Sequence, residues 1–372
     1  MKQVQFEEVL KEPIRNGLTK PKAIRGSGVK MISMGEIFAH NRISKIAMDR
    51  VPVTDKEFSN CSIKAGDLLF ARQSLVLDGA GKCSIVTEVT EDTVFESHLI
   101  RARIDGKKAN PYFLYYYFNS HEGRENIKTI VEQVAAAGIR GSDLIKLWIP
   151  CPDIDIQNQV ASILDAIDRK IELNRKVNDN LEKQAQAIYC DMFITNANPS
   201  WKIGYLSDLI TVRYGKDHKK LTDGVYPVYG SGGIMRYVEK PLYDKESVLI
   251  PRKGTLNNVM YVNNPFWSVD TMFFTEMKLP NVAKFVFHFV KSKDLASLNA
   301  GSAVPSMTTD ILNAMELPIP DADTLYKFEN IIAPLYQAMQ QNTQESGKLA
   351  EVRDSLLPRL MSGEIDVSAV HL

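Results

Sequence analysis

Two stretches of this 372-residue chain end a candidate strand on side chains suited to flat polar edges. IKAGDLLFAR at 63–72 closes on Arg72, with Gln73 and Ser74 directly after it. VLIPR at 248–252 closes on Arg252, and the loop KGTLNNV at 253–259 follows with Lys253, Asn257 and Asn258. A strand-end arginine can present two N–H donors to guanine, and a Gln or Asn amide can present a donor and an acceptor to adenine. Lysines in turns suit phosphate better. RNGLTKPKAIRGSGVK at 15–30 offers Lys20, Lys22, Arg25 and Lys30, and YGKDHKK at 214–220 offers Lys216, His218, Lys219 and Lys220. These residues are the candidate DNA-binding set.

Catalytic readings do not assemble. Asn264-Pro265-Phe266-Trp267 is one residue away from the N-P-P-[FY] motif of amino-methyltransferases, but no strand–GxG–helix sequence precedes it, and a hairpin turn explains it. Gly230-Ser231-Gly232-Gly233 lacks the Gly-Lys-[Ser/Thr] of a phosphate loop. The histidines, among them His98, His218 and His288, have no metal spacing. Cys61, Cys83, Cys151 and Cys190 are scattered, which predicts no zinc site and a reducing cytoplasm. No basic-then-apolar leader and no run of about 18 apolar residues is present, so no membrane span is expected. The chain is expected to bind no cofactor and no metal and to carry no catalytic residue.

Long helices must position the candidate residues. From 153 to 193, apolar residues recur at Ile156, Val160, Leu164, Ile167, Ile171, Val177, Leu181, Ala185, Ile188 and Met192. These steps of three and four mark one helix face, uninterrupted by Gly or Pro. A helix of roughly 38 residues would run about 57 Å, a length that suits a coiled coil. The pattern returns 168 residues later: Pro150, Pro152, Asp153 and Asp155 match Pro318, Pro320, Asp321 and Asp323, and Asn174 matches Asn342. Pro334 predicts a kink or 3-10 break near 330–334 in the second copy, and Gly347 is expected to weaken that helix further.

The segments between the helices share a plan. Residues 1–150 read as a first α+β domain, with MISMGEI at 31–37 as a strand and PYFLYYYFNS at 111–120 as a core-facing helix. Residues 151–195 are the first helix, 196–319 a second α+β domain, 320–362 the second helix and 363–372 a tail. KFVFHFVKS at 284–292 matches Tyr112–Ser120, and small-residue loops at 135–140 and 299–305 also correspond. The expected fold class is α+β: two similar domains separated by two long antiparallel helices in a pseudo-twofold arrangement. Each helix has one apolar stripe and needs a partner. The midpoints fall at Asn174 and Asn342, which are predicted to face each other and fix the register.

Formal charge is zero overall, which alone argues against nucleic acid. It is sorted, however: residues 1–148 carry net +4, 149–195 net −3, 196–316 net +3 and 317–372 net −4. Basic domains therefore alternate with acidic helices, which favours the domains meeting a polyanion.

The Pro-x-Pro-Asp openings, the two long helices, GDLLFAR at 66–72, YGSGG at 229–233, IPRKG at 250–254 and LLPRLMSGEIDV at 356–367 resemble the specificity subunit of type I restriction–modification enzymes over essentially the whole chain. The first domain lacks the Trp-containing lead-in that Pro199–Trp201 gives the second. The resemblance implies two target-recognition domains, each reading one part of a split asymmetric DNA site, with helical spacers setting the gap. It implies two modification subunits that carry S-adenosylmethionine and methylate adenine, and two motor-nuclease subunits that use ATP and Mg. An alternative reading is a protein-interaction scaffold that never touches DNA.

Overall fold

The computed structural model describes residues 2–133, 136–298 and 306–367. It contains two compact units, residues 1–174 with 344–372 and residues 175–343. The long helices Ile154–Cys190 and Ala322–Ser362 each contribute one part to each unit.

The first unit is built on a five-stranded sheet in the order Arg15–Asn16, Leu99–Ala102, Leu68–Ala71, Cys83–Val86 and Arg42–Ile43. Its three longest strands are buried on both faces, as their near-continuous apolar runs require. Alternation sorts their side chains: Leu68, Phe70, Cys83, Ile85 and Ile100 join the core under helix Pro111–Asn119, while Leu69, Ala71, Val86 and Leu99 join a second core with Met31, Ile32 and Val94. The aromatic run at 113–118 is buried throughout, so it is core and not a stacking platform. A small sheet pairs Gln3–Gln5 with Trp148–Pro150, just before the first long helix. Leu360, Met361 and Val367 from the end of the chain enter the same core as Phe6.

Residues 31–37 depart from the strand predicted for them. The strand Val29–Ile32 stops at Ser33, and helix Met34–Ala39 begins. Ser33 and Glu36 form a capping box, with the Ser33 N–H donating to the Glu36 carboxylate at 2.8 Å. Two orphan helix donors are thereby satisfied.

The second unit repeats the plan with an antiparallel sheet in the order Ile210–Tyr214, Met272–Met277, Ser247–Pro251 and Met260–Val262. Helix Ala283–Lys291 lies against this sheet. The pair Lys202–Tyr205 and Glu316–Ile319 repeats the small sheet of the first unit. Trp201 Nε1 donates to Asp321, which also accepts the Thr324 N–H at 2.8 Å and so caps the second long helix.

That helix runs unbroken through Pro334, contrary to the predicted break at 330–334. Phe328, Ile332 and Tyr336 anchor it in the core on both sides of the proline. Pro334 itself is exposed, as is Asn330, whose carbonyl loses the i→i−4 bond and can turn to water. Gly347 is likewise inside the helix, with open space around it.

Within each unit the two helix segments run antiparallel and bond at matching positions. In the first unit the Asn174 amide donates to Glu345 at 2.7 Å and to Ser346 at 3.2 Å. In the second the Asn342 amide donates to Asn178 at 2.8 Å. The bonds Asn174–Ser346 and Asn342–Asn178 map onto each other under the 168-residue repeat. Each asparagine thus bonds across its helix pair. The Asn174 amide, seconded by Lys170, holds the Glu345 carboxyl below the usual carboxylate range.

A candidate nucleic-acid interface

Both domains hold their strand-end arginine in the same way. The Arg72 N–H donates to the His98 carbonyl at 2.8 Å, and the Arg72 carbonyl accepts the Ile139 N–H at 2.9 Å. The Arg252 N–H donates to the Thr271 carbonyl at 2.9 Å, and the Arg252 carbonyl accepts the Met307 N–H at 2.9 Å. One residue on, Gln73 pairs with Gly138 and Lys253 with Ser306. The two arginines therefore occupy equivalent backbone positions, each fixed between a sheet neighbour and a later loop. Ala135 and the loop 299–305 lie outside the described residues.

The side chains differ in availability. Arg72 is exposed and has no side-chain partner among the described residues, and Gln73 beside it is exposed. Ser74 is half-buried, and its hydroxyl accepts the Val76 N–H at 3.1 Å, which gives it to the turn. Arg252 lies over the Tyr214 ring at 5.3 Å and donates to the Asp270 carbonyl at 3.1 Å, so its guanidinium is held with donors to spare. Lys253 is exposed.

Asn257 and Asn258 are not free base readers. The Asn257 amide donates to Asp294 at 3.0 Å and accepts the Ala296 N–H at 3.0 Å, while Asn258 donates to the Ser231 carbonyl at 2.8 Å. A seven-residue polar loop needs partners for its backbone and neighbours, and these two amides supply them. The Asn258 bond fixes the loop against the Gly-rich turn at 230–233.

The cations of 15–30 are also largely engaged. Lys20 pairs with Glu57 at 2.9 Å with only 12 % of its side chain exposed, Arg25 pairs with Asp49 at 2.9 Å, and Lys30 pairs with Glu91 at 2.8 Å. Lys20 leads the causes that hold the Glu57 carboxyl below its ordinary value, and Lys30 then Arg50 do the same for Glu91. These carboxylates come from distant parts of the chain, so the local run of positive charge overstated the free cations. Lys22 is exposed and without a partner among the described residues. The bond from the Ser97 N–H to the Leu18 carbonyl ties the start of this segment next to His98, and so near Arg72.

The turn at 214–220 keeps more free charge. Lys216, Lys219 and Lys220 are exposed, and none has a side-chain partner among the described residues. The turn is set by the Trp267 indole donating to the Lys216 carbonyl at 2.9 Å and by Asp217 accepting the Lys219 N–H at 3.0 Å. His218 is half-buried, and its Nδ1 has no hydrogen-bond partner among the described residues. Gly215 donates to the Met272 carbonyl and Arg252 to that of Thr271, so the turn and Arg252 share one sheet end.

Sequence reading missed apolar residues at the same ends. Leu75, Val76 and Leu77 are 97 %, 64 % and 46 % exposed directly after Ser74. In the second unit Ile234, Met235 and Tyr237 are exposed on the hairpin arm after the Gly-rich turn. Such triplets read as core in a sequence, and only the fold shows them outside.

The helices hold their domains through buried polar contacts. Asp168 accepts from the Tyr116 hydroxyl at 2.8 Å and from Arg353 at 2.8 Å. Arg42 joins Asp165 at 2.7 Å and Glu172 at 2.6 Å. Burial and the Asp168 charge push the Tyr116 hydroxyl pKa well up. In the second unit His288 Nδ1 meets Gln186 at 2.8 Å and Nε2 meets the Tyr336 hydroxyl at 3.0 Å. Burial, with Lys291 nearby, lowers His288 to about 4 and keeps it neutral.

Among the described residues no cluster of His, Cys, Asp and Glu could hold a metal, and no helix is long and apolar enough to cross a membrane. The four cysteines are unpaired thiols.

Comparison with known proteins gives the geometry its family. The model of the type I restriction modification DNA specificity domain matches residues 3–183 and 198–351. The type I restriction enzyme MjaIX specificity subunit of Methanocaldococcus jannaschii is 21 % identical, over 94 % of this chain and 89 % of its own. The HindI specificity subunit of Haemophilus influenzae is 20 % identical over 82 % and 87 %. The crystal structure of the S subunit of a type I restriction-modification system from M. genitalium has the same fold, with a TM-score of 0.61 at 18 % identity over 96 % of this chain and 95 % of that one. With the family model covering both α+β segments and most of both helices, the chain belongs to the type I restriction–modification DNA specificity family.

Proposed function

We propose that this chain reads a split, asymmetric DNA site for a type I restriction–modification complex and performs no chemistry itself. The domain at 1–150 reads one half-site and the domain at 196–319 the other. The helices set the unread gap, with Asn174 and Asn342 holding their register. The helices and adjoining surfaces dock two modification subunits, which bind S-adenosylmethionine and methylate adenine at N6. Two motor-nuclease subunits using ATP and Mg join for cleavage in the cytoplasm. This chain holds none of those cofactors.

The observation that carries the reading is the shared backbone position of Arg72 and Arg252, each followed by exposed polar side chains. Arg72 and Gln73 are the base-reading candidates of the first domain, and Arg252 with Lys253 those of the second. Lys22, Lys216, Lys219 and Lys220 are the phosphate candidates that remain free.

Modified-base sequencing of the source genome with and without this gene tests the proposal. Loss of N6-methyladenine at one two-part motif is the expected result. An unchanged methylome, together with no salt-dependent gel shift of the chain with its modification subunits, would discard DNA reading in favour of a protein scaffold.

A further inference from the structure

The loop 75–77 puts three consecutive apolar side chains into solvent, Leu75 almost completely. A floppy loop would fold such residues back onto the domain. This one is held out. The Ser74 hydroxyl accepts the Val76 N–H at 3.1 Å, and the Val76 carbonyl accepts the Gly79 N–H at 3.1 Å. The Arg124 guanidinium donates to the carbonyls of Asp78 at 2.8 Å and Ala80 at 3.0 Å. Gly79 lies so close to Ser74 that a Cβ there would fall 2.1 Å from the hydroxyl, which closes the base of the loop. At its base the strand Gln73–Ser74 is paired to Ala137–Gly138.

The apolar tip is continuous with Arg72 and Gln73, the two exposed polar readers of the first domain. The charges around it are engaged: Lys82 bonds the Phe38 carbonyl, and Lys128 pairs with Glu125 at 2.7 Å and lies 3.8 Å from Asp78. An apolar side chain fixed beside an exposed guanidinium and amide matches one surface of DNA in particular. In the major groove the only apolar group on a base edge is the C5-methyl of thymine, lying beside the acceptors of guanine and adenine. We propose that Leu75 reads a thymine methyl group in the half-site recognised by the first domain. The inference rests on that domain reading DNA.

The test uses the full chain with its modification subunits and duplexes carrying the methylated motif. Each thymine of each half-site is replaced in turn by uracil, which removes only the methyl group. Affinity is measured for the native chain and for Leu75→Ala, a substitution at an exposed position that leaves the core untouched. One uracil in the first half-site is expected to weaken native binding about four-fold, the equivalent of one buried CH₂. L75A should bind the thymine duplex with that same loss and no longer distinguish uracil, while uracil in the second half-site affects both proteins alike. A native complex that binds tightly but ignores every uracil of the first half-site overturns the assignment and leaves the DNA-reading proposal standing. So does L75A that still senses the methyl, or a Leu75-dependent rise in 2-aminopurine fluorescence without a uracil effect, which would mean insertion between bases. A chain that binds no DNA at all overturns both.

Discussion

Replacing Asp168 by Ala removes the carboxylate that joins the first domain to both helices. Its side chain is only 7 % exposed, and it accepts from Tyr116 and Arg353, each at 2.8 Å. Arg42, 3.9 Å away, keeps Asp165 and Glu172 and is not orphaned. The Tyr116 hydroxyl still accepts from Arg42 at 3.4 Å, but its O–H donor loses its partner, and a buried unsatisfied donor costs about 1–3 kcal/mol. Arg353 is partly exposed and retains Asp354, so its share falls to roughly 1 kcal/mol or less. The expected loss in the first unit is about 3 kcal/mol. Tyr116 and Arg353 bond different oxygens of Asp168, so Asp168→Asn keeps one acceptor of the two, and about half that loss is expected. Because the chain has two units, one global unfolding free energy is not the right readout; hydrogen exchange resolved by unit is. Protection should fall in Pro111–Asn119 and in 154–174 and stay unchanged in Ala283–Lys291. As a control, Tyr336→Phe at the repeat-equivalent position removes one neutral bond to His288 and should cost about 1 kcal/mol, in the second unit alone. Unchanged exchange of Pro111–Asn119 in Asp168→Ala would refute the role given to the carboxylate.

Three further outcomes are expected. His288 has a folded pKa near 4 against an ordinary 6.5, so the unfolded chain takes up the proton first as pH falls. Its stabilisation of the second unit is complete above pH 6.5 and declines by about 3 kcal/mol towards pH 4; denaturation of His288→Phe across that window should show a flatter slope. Arg72→Ala should relax specificity at one base pair of the first half-site at about 1–3 kcal/mol, and Arg252→Ala should do the same in the second; methylome sequencing of each variant reads which half-site changed. Lys219→Gln with Lys220→Gln should weaken binding to every sequence and lower the slope of log K against log salt by about 0.9 for each phosphate no longer neutralised, read from titrations at several salt concentrations.

The helices, their repeat and the Pro111–Asn119 core helix were legible because their signals are periodic and local. Residues 33–36 were legible too: Ser33 and Glu36 spell a capping box, and the apolar run around them was read as a strand instead. What a single sequence could not give was long-range pairing. Glu57, Asp49 and Glu91 cancel three of the four candidate cations of 15–30, and Asp294 and Ser231 take the amides of Asn257 and Asn258. Pro334 was over-read because local propensity predicts a break, while an exposed carbonyl and core anchors on both sides of it sustain the helix. Leu75 was under-read because burial is not a property of a tripeptide.

The repeat preserves where bonds form more than what forms them. Under the 168-residue offset Asp168 maps onto Tyr336, and on the matching domain helices Tyr116 maps onto His288. Tyr116 donates to Asp168 in one unit, and His288 meets Tyr336 in the other, so the same two positions bond with different chemistry. The surroundings follow suit. Arg353, which neutralises Asp168, maps onto Ala185, and Ala185 is fully buried in an aromatic core. A carboxylate at 336 would therefore have no cation from position 185, and Lys284, 5.7 Å from the Tyr336 ring, already pairs with Glu246 and Glu329. Each domain is thus matched to its own helix segments, and diverging sequences keep equivalent geometry by changing both sides of a contact together. A specificity protein needs that arrangement, because exposed residues such as Arg72 and Leu75 can vary freely only on a frame whose bonding positions stay fixed.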